Sequence, residues 1–164
     1  MGVLEERIAR ARELLRSAHH IALATVNEDG SPHNSPVFFA LDEALKHIYW
    51  ASDPASQHTK NMVRTGQVFG ALYEQARGGG LYIQADAAGE LSGVALTAAL
   101  ECLNKACAKA GKKRALEEHE YTGNTTQRLY RATVRQLWVN MPQSGPNGER
   151  LRDYRQTITA QDLF

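Results

Sequence analysis

The sequence predicts a β-dominated α+β protein, an antiparallel split β-barrel of about six to seven strands with flanking helices. Short apolar or alternating segments recur along the chain, and turn residues separate them every 8–12 residues, a spacing typical of small barrels. Helical periodicity is confined to a few segments that interrupt the strands. A length of 164 residues with 43% hydrophobic residues suits one domain, predicted to span residues 1–164.

The elements follow from the spacing of apolar residues. Leu4, Ile8, Ala11 and Leu15 fall on one face of a helix, whereas HHIALATV and KHIYWAS have the length and apolar content of buried strands. The predicted strands cover residues 19–26, 33–41, 46–52, 67–75, 81–91, 128–140 and 150–158. The predicted helices cover residues 3–17, 59–66 and 93–110, while KKRALEEHEYTGNTT is interpreted as a short helix or a loop and MPQSGPNGE as a loop.

Composition and charge exclude several classes of protein. The net charge of +1 creates no overall field that favours nucleic acid or anionic lipid, so any anion site must be local. No apolar run approaches the roughly 20 residues of a membrane span, and the acids near the N-terminus do not fit a targeting signal. Cys102 and Cys107 fall on different faces of a helix, which predicts neither a disulfide nor a metal site and favours a cytoplasmic protein.

The segment ASDPASQHTKNM at residues 51–62 is the strongest candidate for a functional site. Asp53-Pro54 or Ser56 is suited to begin a helix, and the first N–H groups of a helix bind anions. Ser52, Ser56, His58 and Lys60 add hydroxyl, imidazole and ammonium donors around the same position. The alternative is a simple helix cap with His and Lys on a solvated face. The segment alone favours that alternative.

The order of motifs changes this balance. The strand end N-x-D-G-x-P, the strand NSPVFF, the S-D-P strand end, the turn S-x-H-x-x-N and the strand G-L-x-I occur in succession over residues 18–92. This ordered set resembles the pyridoxamine 5′-phosphate oxidase-like superfamily of FMN-binding split barrels, with a weaker likeness over residues 128–156. The resemblance implies that FMN is the cofactor and that the protein is a homodimer with two flavins at the interface.

The resemblance also assigns residues. It places the flavin ring along the second strand at Asn34, Ser35, Pro36 and Val37. It places the ribityl phosphate at the end of the third strand and in the following turn, at Trp50, Ala51, Ser52, Ser56, Gln57, His58 and Lys60. Trp138 in QLWVN matches a late tryptophan near the flavin, and a core or interface aromatic remains the alternative for that residue. Family members often carry arginine after the turn serine, where this chain has Gln57.

These assignments lead to an FMN-dependent oxidoreductase acting on a small redox substrate that the sequence does not identify. No side chain is assigned as a catalytic acid or base, because the flavin supplies the redox chemistry. True pyridoxamine phosphate oxidase activity is not indicated, since LTAALECLNKACAKAG replaces a Ser/Arg-rich helix and RLRDYR departs from R-L-H-D-R. The alternatives are a non-catalytic flavin- or haem-binding protein for storage or sensing, with His58 as a candidate haem ligand, and a deazaflavin protein.

Overall fold

A computed structural model describes residues 2–74 and 77–164, and it confirms the predicted α+β class with seven antiparallel strands. The helices are α1 (Val3–Ser17), α2 (Gln57–Thr65) and α3 (Gly93–Lys109), with 3₁₀ helices at Glu118–Tyr121 and Ala160–Leu163. The strands are β1 (His20–Val26), β2 (Pro32–Leu41), β3 (His47–Ser52), β4 (Gln67–Glu74), β5 (Arg77–Ala87), β6 (Arg128–Ser144) and β7 (Arg150–Ile158).

Six of the strands form a ring. Their order is β3-β2-β1-β4-β5-β6, and β3 pairs again with β6, which closes the ring. β6 is long enough to have two partners on one side, because its first part pairs with β3 and its last part pairs with β7. β7 therefore extends the sheet beyond the ring, which gives the split barrel that the sequence predicts.

Two strands, β5 and β6, differ from the sequence prediction by several residues. β6 continues through Ser144, although MPQS was expected to lie in a loop. Its pairing with β5 ends at Val139, so the missing N–H of Pro142 leaves no gap in that ladder. β5 begins at Arg77 rather than at residue 81 and ends at Ala87 rather than at residue 91. The last residue of the predicted 67–75 strand lies outside the described residues.

Two hydrophobic cores hold the elements together. The larger core fills the ring and includes Trp50 and Tyr130, with α1 packed onto it through Ala11 and Leu14. The smaller core lies between α3 and the outer sides of β2 and β3. The third helix, α2, packs mainly against β1 and β2. The helices therefore leave the outer sides of β1, β4, β5 and the later part of β6 as sheet surface among the described residues.

Gly70 on β4 leaves room for the side chain of Ile21. An added Cβ at this position would lie 2.5 Å from Ile21 Cδ1, inside contact distance. We expect Gly70→Ala to lower the free energy of unfolding by about 1–3 kcal/mol because it overpacks the core. Urea denaturation followed by far-ultraviolet circular dichroism measures this loss.

A double variant tests the cause of that loss. Ile21→Val removes Cδ1 and should itself cost about 0.5–1.5 kcal/mol. If the clash is the cause, the combination with Gly70→Ala should cost clearly less than the sum of the two single losses. Strictly additive losses would show that Ile21 is not the reason for the glycine.

Candidate functional site

A tight turn at Asp53–Ser56 joins β3 to the start of α2. The Asp53 carboxylate accepts a hydrogen bond from the Ala55 N–H at 2.7 Å, and the Asp53 carbonyl accepts from the Ser56 N–H at 3.0 Å. Short acceptor side chains such as Asp commonly stabilise turns in this way. Ser56 then stands at the N-cap position with an extended backbone, φ −64° and ψ 149°. The polar segment that follows β3 is thereby folded into a helix start.

The side chains at this helix start form one hydrogen-bonded cluster. The Ser52 hydroxyl lies 2.6 Å from Nε2 of His58 and 3.1 Å from the Ser56 hydroxyl. Ser56 in turn donates to the Thr59 hydroxyl at 2.8 Å, and Thr59 contacts the phenol of Tyr130. The Ser56 hydroxyl is therefore engaged with neighbouring side chains and makes no capping bond to the helix backbone.

The backbone at the start of α2 keeps three donors free. The first helical bond runs from the Lys60 N–H to the Ser56 carbonyl at 3.1 Å. The N–H groups of Gln57, His58 and Thr59 have no hydrogen-bond acceptor among the residues that the structure describes. Free N–H groups and the positive end of the helix dipole together favour an anion at this position. The donor set therefore fits a phosphate group.

His58 is the buried ionisable group of the cluster, with 8% of its surface exposed. Burial lowers the pKa of its imidazole from the ordinary value of 6.5, and the neighbouring His33 lowers it further. His33 itself contacts the Ser35 hydroxyl on β2, with its Nε2 at 3.1 Å from Oγ. His58 is therefore held neutral at physiological pH in this structure.

Gln57 turns toward the body of the helix. Its side-chain N–H group donates to Oδ1 of Asn61 at 2.9 Å, and Asn61 is 1% exposed. Asn61 then donates to the hydroxyl of Thr25 at 3.0 Å and to Oδ1 of Asn27 at 2.8 Å. This network fixes α2 on β1. The Gln57 side chain thus serves the docking of the helix.

The four predicted ring-binding residues of β2 do not share one face. Asn34 and Pro36 are exposed on the outer side of the sheet, whereas Val37 is buried in the core and Ser35 is partly buried. The alternation of side chains along a strand causes this division. Of the four predicted residues, only Asn34 and Pro36 therefore present side chains on the outer side of β2.

The residues predicted to bind the phosphate also lie in different places, and only some of them meet at the start of α2. Trp50 is 0% exposed and stacks on Tyr130 in the larger core, with ring centroids 6.1 Å apart. Its indole N–H is buried without a hydrogen-bond partner in the described part of the chain. Ala51 points to the smaller core under α3, and Lys60 is exposed on α2. Ser52, Ser56 and His58 are brought together as the sequence predicts.

Trp138 lies on the outer sheet surface in an aromatic cluster. Its ring stacks on Phe69 with centroids 6.1 Å apart, and Phe69 is also 6.3 Å from Tyr82. The guanidinium of Arg155 lies over Tyr82 and Phe69, at 4.5 and 4.9 Å from the ring centroids. Sequence reasoning missed Phe69, Tyr82 and Arg155, although the alternation of β4 and β5 puts both aromatics on the outer side.

The strand register relates Trp138 to β2. One row of paired residues crosses the outer surface as Pro36, Ala22, Ala71, Tyr82 and Trp138. Four strand spacings separate its two ends, a distance of about 19 Å along the sheet. Trp138 therefore lies four strands away from the Asn34 and Pro36 surface along this row.

The C-terminal segment RLRDYR forms the exposed strand β7. Arg150 pairs with Asp153 through its Nε, which lies 3.1 Å from Oδ1, and Arg152 donates to Gln143 through a bond of 2.5 Å. Tyr154 and Leu151 are exposed.

Within residues 2–74 and 77–164, no group of three His, Cys, Asp or Glu side chains is arranged to hold a metal ion. In the same residues, no helix is long and apolar enough to cross a membrane.

Comparison with known families identifies the class of protein. The sequence model of the pyridoxamine 5′-phosphate oxidase family matches residues 8–140, which is most of the chain. The chain belongs to this family, and the predicted resemblance is confirmed. No curated protein matches the sequence at a significant level.

Solved structures show the same fold at low sequence identity. A haem-binding protein from Mycobacterium smegmatis superposes with a TM-score of 0.64 and 17% identity, covering 96% of this chain and 59% of that one. The haem storage protein HutZ from Vibrio cholerae gives 0.59 and 17%, covering 80% and 92%. An F420 reductase gives 0.56 and 16%, covering 77% and 94%. At these identities the likeness concerns the fold alone.

Proposed function

We propose that the protein binds FMN and acts as an oxidoreductase-like flavoprotein, with the phosphate held at the N-terminus of α2. The observation that carries this proposal is the free N–H groups of Gln57, His58 and Thr59 beside the hydroxyls of Ser52 and Ser56. These donors suit the three oxygens of a phosphate monoester, and Lys60 adds a nearby positive charge. Membership of the pyridoxamine 5′-phosphate oxidase family supports the same assignment.

The ring of the flavin would lie on the exposed side of β2, at Asn34 and Pro36. Bound FMN supplies hydride or electron transfer, and the chain supplies binding and orientation. Exposed Asn34 offers a side-chain amide to the polar edge of a ring, while Pro36 offers a flat apolar surface. The backbone of Ser35 and Val37 belongs to the same strand and completes the predicted set. A deazaflavin places the same demands on this surface.

The position of Trp138 supports a homodimer. If this residue also contacts the flavin, a second copy must bring it, because it lies at the far end of the row from Pro36 within one chain. The outer surface between them carries the apolar side chains of Ala22, Ala71 and the Phe69–Trp138 stack, with the Arg155 guanidinium over Phe69, and no helix covers it in the described residues. Apolar surface of this kind favours a partner. The location in the cytoplasm remains a prediction from the sequence.

Haem binding is the second candidate, because two proteins with this fold are described as haem-binding or haem storage proteins. In this chain the predicted haem ligand His58 is buried, and its Nε2 contacts Ser52 at 2.6 Å. A ligand nitrogen must be free to meet the iron. The geometry of His58 therefore favours the phosphate site over haem ligation.

The absorption spectrum of the purified protein, before and after incubation with FMN, tests the proposal. We expect a flavin double band that survives desalting, and a weaker retention of FMN when Ser56→Ala is combined with His58→Ala. Ser17→Ala combined with His119→Ala removes the same two residue types from other elements and should change nothing. A Soret band would establish the haem alternative. A colourless protein that does not retain added FMN would refute flavin binding.

A further inference from the structure

We propose that His58 takes up a proton when the phosphate binds, so that its imidazolium supplies the positive charge that Gln57 does not provide. This inference rests on the proposed function, because it concerns the same site. It assigns His58 a role different from that of a helix cap or a haem ligand, and it makes the affinity for FMN depend on pH.

The charges around the site show why a proton is needed. A phosphate monoester carries a charge of about −1.5 to −2 at neutral pH. The donors that face it are neutral, since they are the three helix N–H groups and the Ser52 hydroxyl, and the Ser56 hydroxyl, which gives its hydrogen to Thr59, is also uncharged. Gln57 is uncharged and bonded to Asn61, and Lys60 is an exposed side chain on the helix. One exposed ammonium compensates only part of a dianion.

The imidazole of His58 is positioned to accept the missing charge. Its Nε2 lies 2.6 Å from Ser52 and 3.3 Å from Ser56, the two hydroxyls that line the site. The ionisable groups around it are His33 on β2, Asp53 in the preceding turn, Lys60 on α2 and Tyr130 on β6, reached through Thr59. Arg128, the strand neighbour of Ser52, also lies near Tyr130, but its guanidinium is paired with Glu90, with Nε 2.6 Å from Oε1. Burial and His33 keep the ring neutral in the free protein. A phosphate beside the ring opposes both effects.

Proton uptake also reorganises the hydrogen bonds. The proton comes from solvent and binds the unprotonated ring nitrogen, after which both nitrogens of the imidazolium are donors. Nε2 then donates to the Ser52 oxygen, which leaves the Ser52 hydrogen available to another acceptor. The phosphate is the acceptor that binding brings to this position. The same proton therefore adds a charge and directs the Ser52 hydroxyl toward the ligand.

Isothermal titration calorimetry tests this inference directly. FMN is titrated into the protein at pH 7.5 in two buffers of different ionisation enthalpy, and the difference in heat gives the number of protons taken up. We expect an uptake approaching one proton per FMN. The affinity for FMN should fall as the pH rises, by up to about tenfold per pH unit over the range in which binding takes up the proton. Riboflavin lacks the phosphate and should take up no proton.

Variants assign the proton to one residue. His58→Gln cannot be protonated, so FMN binding should become weaker, with uptake close to zero. His33→Gln is the matched control and should keep the proton uptake, because the proton binds His58 and not the neighbouring His33. Loss of uptake in His33→Gln alone would overturn the proposal. FMN binding by the wild type without proton uptake would also overturn it, whereas failure to bind FMN at all would refute the proposed function instead.

Discussion

Replacing Ser56 by aspartate is expected to lower the affinity for FMN by about a hundredfold or more. A carboxylate at the N-cap of α2 occupies the position of the anion and repels a phosphate, and such like-charge contacts cost several kcal/mol. The same carboxylate interacts favourably with the free N–H groups and the helix dipole. The free energy of unfolding should therefore stay equal or rise slightly. Fluorescence quenching of FMN measures the affinity, and urea denaturation measures the stability.

Ser56→Asn is the matched control, because asparagine is also a favoured N-cap residue and carries no charge. We expect it to reduce the affinity by less than about tenfold, since it replaces one neutral donor by another of similar reach. The difference between the two variants isolates the charge. Equal affinities in Ser56→Asp and the wild type would exclude an anion at the start of α2.

Trp50→Ala is expected to lower the free energy of unfolding by about 3–5 kcal/mol, the usual cost of removing a large aromatic side chain from a core. Trp50 is 0% exposed, and its ring stacks on Tyr130 inside the ring of strands. Small domains are stable by about 5–15 kcal/mol in total. This single change should therefore remove a large share of the total stability. Urea denaturation at 15 °C followed by circular dichroism measures the loss.

Two comparisons sharpen this prediction. Trp50→Phe keeps an aromatic ring and removes an indole N–H that has no partner among the described residues, so it should cost much less than Trp50→Ala. Trp138→Ala removes the same side chain from the outer surface, where the residue is partly exposed, and should cost less than Trp50→Ala in the monomeric chain. A Trp50→Ala variant as stable as Trp138→Ala would contradict the buried position of Trp50.

Much of the fold was predictable because local patterns and tertiary pairing agree. The apolar runs HIALATV and HIYWAS form strands, as their composition predicts without any knowledge of their partners. The amphipathic residues 3–17 form a helix, as their spacing predicts. The end of β6 was not predictable, because MPQS becomes a strand only through pairing with β7. The glycines that begin β5 are another such case, since β4 beside them determines their conformation.

The candidate site shows the same division. Ser52, Ser56 and His58 are close in sequence, so a single turn was sufficient to bring them together. Trp50 is buried and Pro36 points outward because of the side of each strand that faces the interior of the ring. The local sequence does not determine that side. Arg155 meets Tyr82 across β6, a contact between residues far apart in the sequence. No local pattern in β7 indicates that contact.

The affinity of the wild-type protein for FMN relative to riboflavin tests the central claim most directly. The two ligands share the ring and the ribityl chain, and only FMN carries the phosphate that the start of α2 would bind. Hydrogen bonds to a charged group contribute about 1.5–3 kcal/mol each, so two of them correspond to an affinity ratio of a hundredfold or more. We expect such a ratio in favour of FMN at pH 7. Equal affinities for FMN and riboflavin would contradict a phosphate site at Ser52, Ser56 and His58.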